Sequence, residues 1–111
     1  MANLSDYPKI VERVLDRHSD VKYSSGDIDV QRIYDRERHH YQLMRVGWVG
    51  NERVHSTRMH IDIHDGKVWV QSNTTEINIA DELMEAGIPR EHIVLGFQAP
   101  FMRQFTDFAV A

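Results

Sequence analysis

From Asp27 to Gln71 the side chains alternate with a period of two, and two tight loops, Gly50-Asn51 and Asp65-Gly66, punctuate the alternation. Such patterning belongs to strands with one buried face, and Asp-Gly between two of them is among the strongest short-range hairpin signals. The segment reads as a four-stranded antiparallel meander over about 28–35, 39–49, 53–64 and 67–72, with Asp35-Arg36-Glu37-Arg38 as its first turn.

The flanks have a different period. Ile10, Val11, Val14 and Leu15 fall on one stripe of a helix at about 7–18, with Ser5 and Asp6 as candidate caps, Pro8 in the first turn and Ser24-Ser25-Gly26 as the break beyond. Ile79, Ala80, Leu83 and Met84 predict a second helix at about 79–86, stopped by Gly87 with Pro89 beyond it. Residues 93–97 read as a buried strand or extended segment. In the tail, Phe101, Phe105 and Phe108 are spaced four and three apart, which predicts a helical turn docking an aromatic stripe on the domain. The expected fold is thus α+β, one domain over residues 1–111.

Tight loops fix register, so faces can be assigned. If Val49 faces Glu52, paired positions of strands two and three sum to 101, and if His64 faces Lys67, those of strands three and four sum to 131. The core face then collects Met44, Val46, Met59, Ile61, Ile63, Val68 and Val70. The opposite face collects Tyr41, Leu43, Arg45, Arg58, His60, Asp62, Trp69 and Gln71, together with His64 and Lys67. Its mixture of aromatic, apolar and polar groups suits a partner-binding surface, with a self-associating copy as one such partner. The competing expectation is that the C-terminal tail folds over this face.

Composition narrows the chemistry. The chain has 111 residues, 41% of them hydrophobic, and no cysteine, which excludes disulfides, thiolate catalysis and cysteine-ligated metals. There is no apolar leader and no run near the ~20 residues of a membrane span, so a cytoplasmic protein without a membrane partner is expected. Net charge is −4, but residues 30–60 carry six arginines against three acids. Arginine favours phosphate and carboxylate, so a direct DNA-binding module built on these hairpins is one reading; the overall negative charge opposes it.

Seven histidines raise the question of metal. The register places His39 opposite Asp62, so an ion would draw on His39, His60, Asp62 and His64. Strand residues two apart lie about 6.7 Å from each other, which puts His60 and His64 about 13 Å apart and too far to share an ion directly. No metal and no other cofactor are expected. Asp65-Gly66-Lys67 superficially matches half of a magnesium-nuclease motif, but a hairpin loop accounts for it, and a small metal-dependent enzyme stays a secondary reading. No nucleophile elbow or phosphate loop is present, and no catalytic residue is assigned.

In order along the chain stand Gly26-Asp27-Ile28, Tyr34-Asp35-x-Glu37-Arg38, His40-Tyr41-Gln42-Leu43, Val46-Gly47-Trp48, His60-Ile61-Asp62-Ile63 and Asp65-Gly66-Lys67-Val68-Trp69-Val70-Gln71. Thr75-Glu76, Ile79-Ala80-x-Glu82-Leu83, Gly87-Ile88-Pro89, Ile93-Val94-Leu95-Gly96-Phe97 and Ala99-Pro100 follow, with Arg103, Thr106 and Phe108-Ala109 at the close. Together these segments resemble the XisI family, the fdxN element excision controlling factors found mainly in cyanobacteria. The resemblance implies a non-catalytic accessory role in programmed DNA excision by a separate recombinase, beside an XisH-like protein partner, with DNA contacted only jointly with that partner. It brings no catalytic residues. The chain departs from the family pattern at Asn73, Asn78 and Gln98, where aspartate, glycine and histidine are common.

Overall fold

A computed structural model describes residues 3–23 and 26–111. Met1, Ala2 and the Ser24-Ser25 part of the expected break lie outside the described residues. Helix α1 (Tyr7–Arg17) is followed by strands β1 (Asp27–Asp35), β2 (His40–Val49), β3 (Glu52–His64) and β4 (Lys67–Asn73), then α2 (Ile79–Glu85) and β5 (Ile93–Leu95). The five strands form one sheet in the order β1-β2-β3-β4-β5. The first four are antiparallel, as the hairpin loops predict, and β5 pairs parallel to β4 after the crossover through α2. The fold is α+β, with five strands where the meander alone supplies four.

The loops follow from their residues. Asp65 and Gly66 both have positive φ, 51° and 75°, the pair that a two-residue hairpin of matching twist requires. Asp35 Oδ1 accepts from the backbone N–H groups of Glu37 and Arg38 at 3.1 and 3.0 Å, which shapes the first turn. Asn78 caps α2 by accepting from Asp81 N at 3.2 Å. Asp6 accepts from Asn3 N and makes no side-chain cap on α1.

Both helices cover one face of the sheet. Tyr7, Val11, Val14 and Leu15 of α1 and Leu83 of α2 are buried against Tyr41, Leu43, Met59, Ile61, Val68 and Val70, with Ile88 and Ile93 closing the cluster. Three polar clamps hold α1 in place. Arg36 in the first turn grips Glu12 through two hydrogen bonds of 2.8 Å, the Tyr34 hydroxyl donates to Asp16 at 2.8 Å, and His18 meets Glu82 of α2 at 2.9 Å.

The core face differs from the expected one, because the registers slip. Pairs of β2 and β3 sum to 101 from Val49↔Glu52 to Met44↔Thr57, then to 102 from Leu43↔Met59 onward, leaving Arg58 as an extra residue. Pairs of β3 and β4 sum to 131 as far as Ile61↔Val70 and to 132 beyond, leaving Gln71 as an extra residue. A one-residue slip exchanges faces. Tyr41 and Leu43 are therefore fully buried beneath the helices, while Met44 and Val46 lie on the opposite side and outside the core cluster.

The tail also departs from expectation. Its 3₁₀ turn, Pro100–Phe105, sits against the sheet through the Arg103 guanidinium, 5.1 Å from the centre of the Trp69 ring. Phe108 packs on the core and Ala109 bridges Val94. Phe101 and Phe105, expected to be docked, point outward at 68% and 74% exposure. A 3₁₀ turn repeats every three residues, so four-residue spacing does not align with one buried face.

Gly47 marks the tightest approach of two strands: a Cβ there would overlap the Asp27 carbonyl oxygen and press on Ile28 Cα at 2.7 Å. Gly47→Ala should force β1 off β2 and lower stability by about 1–3 kcal/mol, as overpacking does. Urea unfolding of the two proteins side by side measures it.

Candidate functional site

The sheet face away from the helices carries a polar cluster centred on Asp62. His40 and Asp62 are direct cross-strand partners on β2 and β3, and His60 lies two residues before Asp62 on the same face. His40 Nδ1 and His60 Nε2 both donate to Asp62 Oδ1, at 2.8 and 2.7 Å. Gln71 Nε2 donates to the other oxygen, Oδ2, at 3.1 Å. Gln71 reaches it because it is the extra residue of the β4 irregularity. Gly96 is needed beside it: a Cβ at that position would lie 2.5 Å from Gln71 Oε1.

Partial burial pushes the Asp62 carboxyl upward in pKa. The hydrogen bond from His40, the His60 charge and the bonds from Gln71 and His60 outweigh that and hold it below its ordinary value. Above the carboxylate lies a pocket of about 210 Å³ rimmed by Arg38, Ile63, His64 and Trp69. Trp69 in turn lies under Arg103 of the tail, which also donates to the Gln98 and Gly96 carbonyls at 3.1 and 3.3 Å.

The structure sorts the residues expected on this face. His60, Asp62, Trp69 and Gln71 share it, and His60 and Gln71 each bond to Asp62. Tyr41 and Leu43 do not, since both are buried in the core. Arg45 follows Leu43 by two residues on an unbroken strand and lies on the helix side, where its Nη2 donates to Thr74 Oγ1 at 3.4 Å. Arg58, the bulged residue, donates to the Tyr23 hydroxyl at 3.1 Å. Arg53 pairs with Trp48 on the outer face and stacks on it at 5.2 Å.

Of the histidines, His39 does not face Asp62. The slipped register gives that place to His40, and His39 turns to the Tyr41 hydroxyl at 3.0 Å. His64 stays exposed beside Asp65. His40 is the residue that the uniform register misses. One signal bears on it: apolar residues in β2 occupy 41 and 43, then 44 and 46, so the alternation changes phase within the strand.

A second cleft, of about 350 Å³, lies between β4, α2 and the tail, with Asn73, Ile77, Phe97 and Phe108 among its lining. Its central polar side chain is internally satisfied. Asn73 accepts from Thr75 N and Oγ1 at 3.0 and 2.6 Å and donates to the Ile77 carbonyl at 2.7 Å, a brace of the loop.

Removing the Asp62 carboxylate strands three donors. Asp62→Ala should cost about 1–2 kcal/mol, the order of magnitude for unmaking a partly buried, charge-assisted network. His64→Ala, on the pocket rim, should stay within about 0.5 kcal/mol of the parent. Chemical denaturation at neutral pH compares the two.

Comparison with known proteins places this architecture. The model of the XisI protein family matches residues 1–110. A XisI-like protein from Anabaena variabilis ATCC 29413, known from a 1.30 Å crystal structure, is 48% identical, with a TM-score of 0.91 over 98% of this chain and 100% of that one. The fdxN element excision controlling factor XisI from the same organism, known at 2.19 Å, is 32% identical, with a TM-score of 0.85 over 97% of this chain and 98% of that one. No curated protein matches the chain.

Proposed function

The chain belongs to the XisI family, and from that premise we propose that it is a non-catalytic accessory factor for programmed excision of a DNA element, acting in the cytoplasm through a protein partner. The observation that carries this reading is the full-length likeness to a protein described as an excision controlling factor, at 32% identity and nearly complete coverage of both chains. Control of a recombinase requires contact with another macromolecule, and the chain offers a surface for one. Phe97, Phe101, Met102 and Phe105 stand exposed together on the C-terminal segment, at 53%, 68%, 40% and 74%. Exposed apolar residues concentrated in one short segment favour a protein interface. The partner we assign to it is an XisH-like subunit, with a second copy of this chain as the competing occupant.

Direct DNA binding by the chain alone is the weaker reading. Of the six arginines in residues 30–60, three are paired with acids: Arg32 with Asp16, Arg36 with Glu12 and Arg38 with Asp35. Arg45 and Arg53 belong to opposite faces of β2 and β3, so no single basic stripe is available to follow a phosphate backbone, and the net charge of −4 opposes close approach to one. DNA contact is accordingly assigned to the complex with the partner.

The experiment is capture from a native lysate, followed by DNA mobility shifts at about 150 mM salt with and without the captured protein, because phosphate-driven affinity depends steeply on salt. An XisH-like protein should be recovered, and Phe101→Ser with Phe105→Ser should reduce its recovery at least about tenfold, the loss expected for two central aromatic anchors. A strong shift by this chain alone would defeat the accessory reading. Undiminished recovery with the double variant would move the interface elsewhere.

A further inference from the structure

We propose that His40, His60 and Asp62 form a binding site for a divalent transition-metal cation, with Zn²⁺ as the ion their donors suit best. One ligand atom from each of His40, His60 and Asp62 lies within 4.8 Å of the other two, the one such group of three among the described residues, and His40 Nδ1 and His60 Nε2 are the nitrogens nearest Asp62 Oδ1. Two imidazoles and a carboxylate suit zinc and its neighbours, whereas Mg²⁺ and Ca²⁺ take oxygen-only shells. Three protein ligands with one position left open is a common zinc arrangement.

The geometry needs little change. Bonds of about 2.0–2.2 Å in a tetrahedral shell put neighbouring ligand atoms about 3.3 Å apart. The two nitrogens now stand 2.8 and 2.7 Å from Oδ1, so they must move out by about half an ångström. His40 is free to do so, its side chain being half-exposed. Each ring must turn a lone pair toward the ion, so the proton on that nitrogen must leave it, to the other ring nitrogen or to solvent. All three ligands sit on two adjacent paired strands, so the backbone holds their spacing. Gln71 already grips Oδ2 and leaves Oδ1 to face the rings, the supporting bond that ligating carboxylates usually have. The pocket over the carboxylate gives an entry path and room for a water as fourth ligand.

Four of the other five histidines are otherwise engaged, His64 with Asp65, and His55 is exposed and not in the group. His18 is bonded to Glu82, His39 to Tyr41 and His92 to Tyr7, and none of these contacts brings a third ligand within reach. A bound ion would lock β2 to β3 at the end of the sheet where Arg38, His64 and Trp69 meet.

The test is calorimetric titration of the metal-free, full-length chain with Zn²⁺, with Mg²⁺ as a control and Co²⁺ absorption as a second readout. We expect one Zn²⁺ per chain at about 10 µM or tighter and no Mg²⁺ heat. His40→Ala and His60→Ala should each weaken binding at least tenfold and Gln71→Ala about tenfold, as the loss of a ligand and of its support would. His55→Ala, on an exposed histidine elsewhere on the same face, should leave it unchanged. The visible band of tetrahedral Co²⁺ should appear with the parent and vanish with His60→Ala. His40→Ala alters a half-exposed side chain, so the fold survives, and circular dichroism verifies it. Absence of Zn²⁺ heat at 100 µM protein, on the order of ten times the expected Kd, would overturn the proposal. So would binding that persists in His40→Ala, which would place the ion on scattered surface histidines.

Discussion

Two one-residue irregularities in the sheet decide which side chains meet the helices and which meet solvent. Side chains alternate strictly along a strand, so a single extra residue exchanges the faces of everything beyond it. Arg58 is the extra residue between β2 and β3, and Gln71 is the extra residue between β3 and β4. The first brings Tyr41 and Leu43 into line with Ile61 and Met59 beneath α1 and α2, where Val70 already pairs with Ile61. The two irregularities also bring His40 opposite Asp62 and Gln71 within reach of its second oxygen. The burial of Tyr41 and Leu43 and the pairing of His40 with Asp62 on the opposite face are two consequences of the slip at Arg58.

The helical layer depends on that sheet face and is tied to it at its rim. Arg36 and Glu12 join the first hairpin turn to the middle of α1, and Tyr34 joins β1 to Asp16. Burial raises the Tyr34 pKa, and the hydrogen bond to the Asp16 carboxylate adds to the effect, so the hydroxyl stays a donor throughout the physiological range. Such clamps orient more than they stabilise, because exposed ion pairs contribute little in water. The buried seam of Tyr7, Val11, Val14 and Leu15 supplies the energy, and the clamps fix how α1 lies across the strands.

What the sequence makes legible follows from how local each signal is. Asp65-Gly66 and the apolar stripe of residues 10–15 act within a few residues, and the hairpin loop and α1 stand where those signals put them. Bulges have no comparable local chemistry. Arg58 is an ordinary strand residue, and only the change of apolar phase between Leu43 and Met44 hints that the ladder must slip there. The site was half visible for the same reason: His60, Asp62 and Gln71 lie on the expected face, but a uniform register exchanges His40 for His39. In the tail, the spacing of Phe101, Phe105 and Phe108 correctly indicates a turn. Periodicity alone gives no sign of whether such a stripe faces the domain or solvent, and here only Phe108 faces inward.

The tail and the polar cluster are joined through one aromatic ring. Trp69 forms part of the pocket rim over Asp62, and its face is covered by the Arg103 guanidinium. Arg103 is anchored by the Gly96 and Gln98 carbonyls, at the root of the segment that presents Phe97, Phe101 and Phe105 to solvent. Gly96 itself donates to the Val70 carbonyl at 2.8 Å and gives Gln71 the space to reach Asp62. The segment that carries the exposed phenylalanines therefore meets the polar cluster at two points on β4, through Gly96 beside Gln71 and through Arg103 over Trp69.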